Sequence, residues 1–276
     1  MSINVHKTGL SKTLGQQSDA IVTAGLVGHW DPGVGVETLY WDNQVSGGNN
    51  LRRFNGIAHS TFWSFDGTDD YLGEASSGYG GSAFTINAAN AFTVSTWARA
   101  GNGDSNILFQ IADGALVERV TCTLSPGTND SNHYSSVYFT VASDENSVSE
   151  SVYAPYCNSQ DCTESMYPLI NDTWYFITVT HDGSGNYKVF VNGTIMNNGQ
   201  SGNDMKTTFD FGVIDDVAQE FRIGYDAYGS YYSDSSSMLG HVLVYTAELT
   251  NSQIRQNFLA THKVNSDRYY GATYTA

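Results

Sequence analysis

Between Gly25 and Leu249 the chain is written in short blocks of β-branched and aromatic residues, punctuated by Gly, Asn, Asp and Ser. No segment in that span keeps the 3.6-residue apolar period of a helix. Parallel strands need crossover helices, so these blocks must pair antiparallel, and the expected class is all-β. Composition agrees where it bears on this point. The 28 glycines supply the positive-φ turns that many short strands require, and only 4 prolines interrupt them. A hydrophobic content of 40%, with 13% aromatic, is enough to fill a sizeable core.

The blocks predict individual strands. Residues 92–99 alternate, with Phe92, Val94, Thr96 and Ala98 on one face and Trp97 and Arg99 on the other. Residues 174–181 begin apolar on both faces, which predicts an interior strand whose outer face is partly covered. Residues 187–192 follow the glycine-rich turn Asp182-Gly-Ser-Gly-Asn186 and complete a hairpin. Further strands are expected over residues 107–112, 117–124, 221–225 and 239–246, and a projecting hairpin over residues 137–142 and 148–153.

The ends differ from this pattern. Residues 1–24 are polar and lack periodicity, so they read as an N-terminal arm that either docks on a neighbouring subunit or is disordered. One helix is expected, over residues 251–261. Thr250 and Gln253 form its capping box, Leu249 and Ile254 are placed for a hydrophobic staple, and Ile254, Phe258 and Leu259 form its packing face. The domain then spans residues 25–263, and residues 264–276 form a C-terminal tail that is either a further strand or a second arm.

With 28 acidic against 12 basic residues, the net charge of -16 repels a phosphate backbone, so nucleic acid is excluded as a partner. The same acidity serves either solubility or Ca²⁺ binding. The first residues show no basic-then-apolar leader, which disfavours Sec-dependent secretion, and no stretch of about 18 apolar residues predicts a membrane span. The three cysteines, Cys122, Cys157 and Cys162, are too few for a disulfide framework. Cys157 and Cys162 bracket a polar turn where they either pair or stay as free thiols, and without a partnering His or second CxxC they are a poor zinc signature.

Several blocks in order carry a resemblance. Gly25-Leu-Val-Gly-His-Trp-Asp31 is followed by a Gly/Asn-rich stretch and then by Trp63-Ser-Phe-Asp-Gly-Thr-Asp-Asp-Tyr-Leu72. Later come Phe92-Thr-Val-Ser-Thr-Trp97, Trp174-Tyr-Phe-Ile-Thr-Val179, Tyr187-Lys-Val-Phe-Val-Asn-Gly193, Phe221-Arg-Ile-Gly224 and residues 240–250 before the helix. Together they resemble laminin-G-like jelly-roll domains of the concanavalin superfamily over residues 25–263. The resemblance implies a two-sheet antiparallel sandwich. The opening Gly25-Leu-Val and Asp31-Pro-Gly33, with the closing Leu249-Thr250, Gln253-Ile254 and Gln256-Asn-Phe258, is also similar to such domains in structural proteins of tailed bacteriophages. That similarity implies a virion component assembled in the host cytoplasm, oligomeric in its assembly, with capsid or tail proteins as partners.

Two site candidates follow. Asp66, Asp69 and Asp70 lie in a tight Gly turn that resembles the acidic turn beside a structural calcium in relatives; the alternative is a turn whose aspartates cap their own backbone. The chain departs from the resemblance at His241, where many relatives carry an acidic residue. The loop Tyr225-Asp-Ala-Tyr-Gly-Ser-Tyr-Tyr-Ser-Asp234 mixes aromatic platforms with polar groups, as a lectin site requires. Tyr225, Tyr228, Tyr231, Tyr232 and Asp234 are therefore candidates for binding host-surface glycans, or equally for packing on a neighbouring subunit. Tyr79 with Gly78, Gly80 and Gly81 is a weaker second candidate. No strand carries the period-two carboxylates of a β-glucanase, and Asp215-Asp216 with Glu220 has the wrong spacing. No Gly-x-Ser-x-Gly, His-Glu-x-x-His or phosphate-binding Gly loop occurs either. The expectation is a binding protein and not an enzyme.

Overall fold

The computed structural model describes residues 20–74, 90–101, 105–113, 119–125, 136–143, 148–154, 169–196, 209–210, 219–228 and 230–265. Two large antiparallel sheets enclose the core. One is nine-stranded and runs β14 (Thr194–Ile195), β13 (Asn186–Val191), β12 (Tyr175–His181), β7 (Phe92–Arg99), β19 (Met238–Tyr245), β5 (Trp63–Ser64), β4 (Ala58–His59). Strand β1 (Leu26–Trp30) also pairs with β19, and β15 (Phe209–Asp210) with β13. The other is eight-stranded: β11 (Val148–Ala154), β10 (Ser136–Ser143), β9 (Arg119–Ser125), β8 (Asn106–Asp113), β16 (Gln219–Ile223), β6 (Tyr71–Glu74), β3 (Leu51–Phe54), β2 (Tyr40–Trp41). A two-stranded ribbon, β17 (Tyr225–Asp226) with β18 (Tyr231–Tyr232), pairs with neither. Among the described residues every strand pair is antiparallel, as the missing helical period requires.

The period of two sorts side chains into layers. Phe92, Val94 and Ala98 of β7 enter the core between the sheets with Tyr175, Ile177 and Val179 of β12, and they meet Phe109, Ile111, Val120, Phe139 and Phe221 of the opposite sheet. Indole and phenyl rings fill the widest gaps, with Trp41 and Trp63 5.3 Å apart and Phe139 5.2 Å from Tyr187. The opposite phase of these strands, Trp97 and Phe176, faces away from this core into a second cluster with Phe190 of β13. Helix α1 (Asn251–Asn265) covers it. Strand β12 is buried on both faces because it is interior and covered on both.

Thr250 and Gln253 cap α1 reciprocally: the Thr250 N–H donates to Gln253 Oε1 at 2.9 Å and the Gln253 N–H to Thr250 Oγ1 at 3.4 Å. Leu249 and Ile254 are both buried in the outer cluster, as a staple requires. One expectation is corrected: the helix runs to Asn265 and not to 261, since no Gly or Pro stops it. Ile254 and Phe258 are buried in the outer cluster and Leu259, half-buried, packs against it, as expected; Asn257, Ala260 and Thr261 are buried with them. The polar members have a purpose. Asn257 accepts the N–H of Val22 at 2.8 Å and donates to the Tyr245 hydroxyl at 2.9 Å, which in turn donates to Val22 O at 3.0 Å. Residues 20–24, assigned from sequence to the arm, are thereby held on the domain, with Val22 buried. Residues 1–19 and 266–276 lie outside the described residues, as do Tyr79 with its glycines, Cys157, Cys162, Asp215 and Asp216.

The strand expected over 221–225 instead ends at Ile223. Gly224 turns the chain at φ +82°, and a Cβ there would lie 2.2 Å from the Phe65 ring, so only glycine lets Tyr225 start the separate ribbon.

Candidate functional site

The acidic turn links β5 to β6. Asp66 Oδ1 accepts the N–H groups of Thr68 at 2.8 Å and Asp69 at 3.3 Å, and the Thr68 bond is the main reason its carboxyl lies below the usual carboxylate range. Gly67 sits at φ +79°, where a Cβ would approach Ser235 N to 3.1 Å, so the turn presses against the segment that follows the tyrosine ribbon. Asp66 and Asp69 are exposed, but Asp70 is 4% exposed and its Oδ1 has no hydrogen-bond partner. Burial first, then the charges of Asp66 and Asp69, push the Asp70 carboxyl up to about 6. The three residues offer oxygens within 4.8 Å of one another. Asp66 thus does cap its own backbone, yet the orphaned Asp70 oxygen and the crowded charges remain. A hard cation fits both: it bonds the orphaned oxygen and cancels the repulsion. His241 is buried, with Nε2 3.2 Å from Asp31 Oδ2 and its ring stacked on His29 at 5.8 Å.

The tyrosine ribbon is fastened to the outer face of the eight-stranded sheet by Gln110, which is fully buried. Its Nε2 donates to Asp226 Oδ1 and to Thr121 Oγ1, and its Oε1 accepts from the Ala227 N–H at 3.1 Å and from Arg222 Nη1 at 3.3 Å. Every bonding position of the amide is used. The far end of the ribbon is fixed by Ser233 and Asp234. Ser233 Oγ accepts the Ile107 N–H at 2.8 Å and donates to Asn106 Oδ1. The carboxylate of Asp234 accepts the Ser105 N–H while its own N–H donates to Ser105 O at 3.0 Å. Asp234 is therefore a brace for the loop.

The tyrosines fall into two groups. Tyr225 and Tyr232 stack on each other at 4.5 Å, Tyr225 meets Tyr71 at 5.1 Å, Tyr71 stacks on Phe54 at 4.2 Å, and Arg52 lies over Phe54 at 4.8 Å. These rings occupy one another's faces and form a continuous ladder. Tyr228 and Tyr231 stand outside it, 62% and 68% exposed. Tyr228 rests one face on Arg119, whose guanidinium carbon is 3.6 Å from the ring centroid. The five-residue platform expected from sequence is thus two open rings on a braced ribbon. Burial, then Tyr225, Tyr71 and Asp69, push the Tyr232 hydroxyl up, so the acidic turn and the ribbon share one neighbourhood. Sequence reasoning missed Arg52, Phe54, Tyr71, Gln110 and Arg119. Only Phe54 and Tyr71 left a signal, as polar-phase aromatics on blocks that pair in register.

A two-sheet antiparallel sandwich with a covering helix toward its C-terminal end defines a concanavalin-like fold. Residues 66–255 match the laminin G 3 family, described as the concanavalin A-like lectin/glucanases superfamily, and the chain belongs to that family. The receptor-binding domain of botulinum neurotoxin C/D mosaic serotype superposes with a TM-score of 0.56 at 12% identity, over 85% of this chain and 51% of that one. The binding domain of botulinum neurotoxin serotype G gives 0.56 at 11% identity, over 87% and 52%. The Trypanosoma rangeli sialidase in complex with 2,3-difluorosialic acid gives 0.56 at 16% identity, over 88% and 34%. This chain spans about half of the toxin domains and a third of the sialidase. At these identities the likeness is one of fold. No curated protein matches the chain in sequence.

Proposed function

We propose that this chain is a non-catalytic, glycan-binding sandwich, carried as a component of a tailed-bacteriophage virion. The observation that carries the binding half is the pair of open rings, Tyr228 and Tyr231, on a ribbon whose backbone is braced at both ends. Sugar rings stack on exposed aromatic faces, and a braced platform loses little entropy on binding. The fold's likeness to a toxin's receptor-binding domain and to a sialidase supports a lectin-like role, and not the virion setting. The virion setting, with capsid or tail partners and an oligomeric assembly, rests on the opening and closing segments of the sequence. The non-catalytic half rests on the carboxylates around the ribbon. Glu220 is paired with Arg222, Asp226 is held by Gln110 and the Tyr228 N–H, and Asp234 is held by Ser105. A glycosidase needs two carboxyls free to act across one bond. In this reading Asp66, Asp69 and Asp70 hold a calcium ion, supported by the orphaned Asp70 oxygen.

A multivalent glycan array with the purified chain, run with calcium and with chelator, tests both parts. We expect a defined set of glycans to bind, with signal lost in Tyr231→Ala, and calcium to raise the thermal midpoint of the wild type but not of Asp70→Asn. No glycan signal under either condition overturns the binding reading, and an unchanged midpoint overturns the calcium.

A further inference from the structure

We infer that Arg119 is a positioning residue that sets the angle and order of the Tyr228 ring; this rests on the glycan-binding reading above. Arg119 opens β9, out of phase with Val120 and Cys122, so it leaves the sheet on the face opposite the core. Its register partners on both neighbouring strands are alanines, Ala112 on β8 and Ala142 on β10. Two methyl side chains leave room above the sheet that long side chains at those positions would fill. Arg119, 8% exposed as a residue, is buried there, and the Tyr228 ring, in a residue 62% exposed, lies over its guanidinium carbon at 3.6 Å. A planar cation beneath one face of a phenol ring is an oriented contact that a lysine ammonium reproduces only in part.

The rest of Tyr228 is fixed independently. Its N–H donates to Asp226 Oδ1 at 3.1 Å, and Asp226 is held by Gln110, so the backbone is anchored without Arg119. What Arg119 adds is the ring. Tyr231 has no ring contact among the described residues, so Arg119 acts on one of the two platforms and not on the other. The pair is layered, with alanines, cation and ring in order out from the sheet. Sequence spacing hides it, because Arg119 lies on β9 and Tyr228 in the turn between β17 and β18, and they meet only when the ribbon folds over the sheet.

The test is a double-mutant cycle on the full chain, with the oligosaccharide that gives the strongest array signal as probe. Arg119→Gln should weaken binding about fivefold and Arg119→Lys about twofold. Tyr228→Ala should weaken it about tenfold, and Arg119→Gln with Tyr228→Ala no more than Tyr228→Ala alone. Arg119→Gln with Tyr231→Ala should be additive. A spectroscopic arm needs no sugar: the Arg119 Nε–Hε resonance should show a ring-current shift that Tyr228→Ala removes. Arg119→Lys keeps the fold if Arg119→Gln does not, and the shift is read in the arginine protein itself. Full additivity between Arg119 and Tyr228, or an unshifted Arg119 resonance, overturns the proposal. A probe-independent ring-current shift with no glycan bound anywhere overturns the glycan reading and leaves the Arg119–Tyr228 geometry standing.

Discussion

Lowering the pH from 7 to 4.5 puts a proton on His29 in the unfolded chain well before it does so in the folded one. His29 lies on β1, half-buried, with Nε2 bonded to nothing and its ring stacked on His241. Burial first, then His241, hold its imidazole down at about 4, against the smaller opposing pull of Asp31. The sign follows directly. Above 6.5 neither state is protonated and His29 is neutral in its effect; below 6.5 the unfolded chain takes up a proton that the folded chain refuses, so stability falls until about pH 4. At about 1.4 kcal/mol per pH unit, two units give roughly 2.7 kcal/mol, which solvent at a half-buried ring trims to about 2. His59, also held low by burial, adds to the same slope, while Asp70, held high, opposes it. The difference between wild type and His29→Phe isolates the term, because phenylalanine keeps the ring stack and cannot titrate. Urea unfolding at half-unit steps should show the variant gaining about 2 kcal/mol on the wild type between pH 7 and 4.5. A difference flat across that range, or a His29 resonance titrating near 6.5, refutes the reasoning.

Asn257→Ala leaves the Val22 N–H without its partner and frees the Tyr245 hydroxyl inside the outer cluster, so it should cost about 1–3 kcal/mol in urea unfolding and expose residues 20–22 to hydrogen exchange. Gln110→Leu preserves the volume and removes the amide that fastens the ribbon. It should lower stability by about 1–3 kcal/mol and abolish array binding while leaving the core aromatic spectrum unchanged, and retained binding would argue that the ribbon is held by other means.

The core and the ribbon differ in how far the sequence discloses them, for physical reasons. Phe92, Val94 and Trp97 declared their faces because alternation is a property of one strand. The Thr250 to Gln253 cap was readable because a capping box closes within three residues. Gln110 was not readable: its strand marks it as outward-facing, and it is buried only because Asp226, 116 residues away, folds over it. Asn257 and Thr261 interrupt an apolar helix stripe for partners at Val22 and Trp97, 235 and 164 residues distant. The tyrosine loop was found by composition, but composition cannot say which rings face one another. The cross-strand register of Phe54 with Tyr71 decides that, and it builds a ladder in which Tyr225 and Tyr232 are already stacked.

The division of the aromatics limits what the site can achieve. Stacking on a ring is worth roughly 0.5–1.5 kcal/mol beyond the area it buries, so two open rings with a few hydrogen bonds support a single-site affinity in the weak, roughly millimolar range. The ladder contributes no free faces and instead stiffens the ribbon, which limits the entropy lost on binding but adds no contact. Useful retention at a surface then depends on several copies engaging at once, where linked sites gain factors of about 10² or more without a new contact. That requirement joins the two halves of the proposal. A weak sugar site on a braced ribbon is effective where an assembly presents it repeatedly, and a virion is such an assembly.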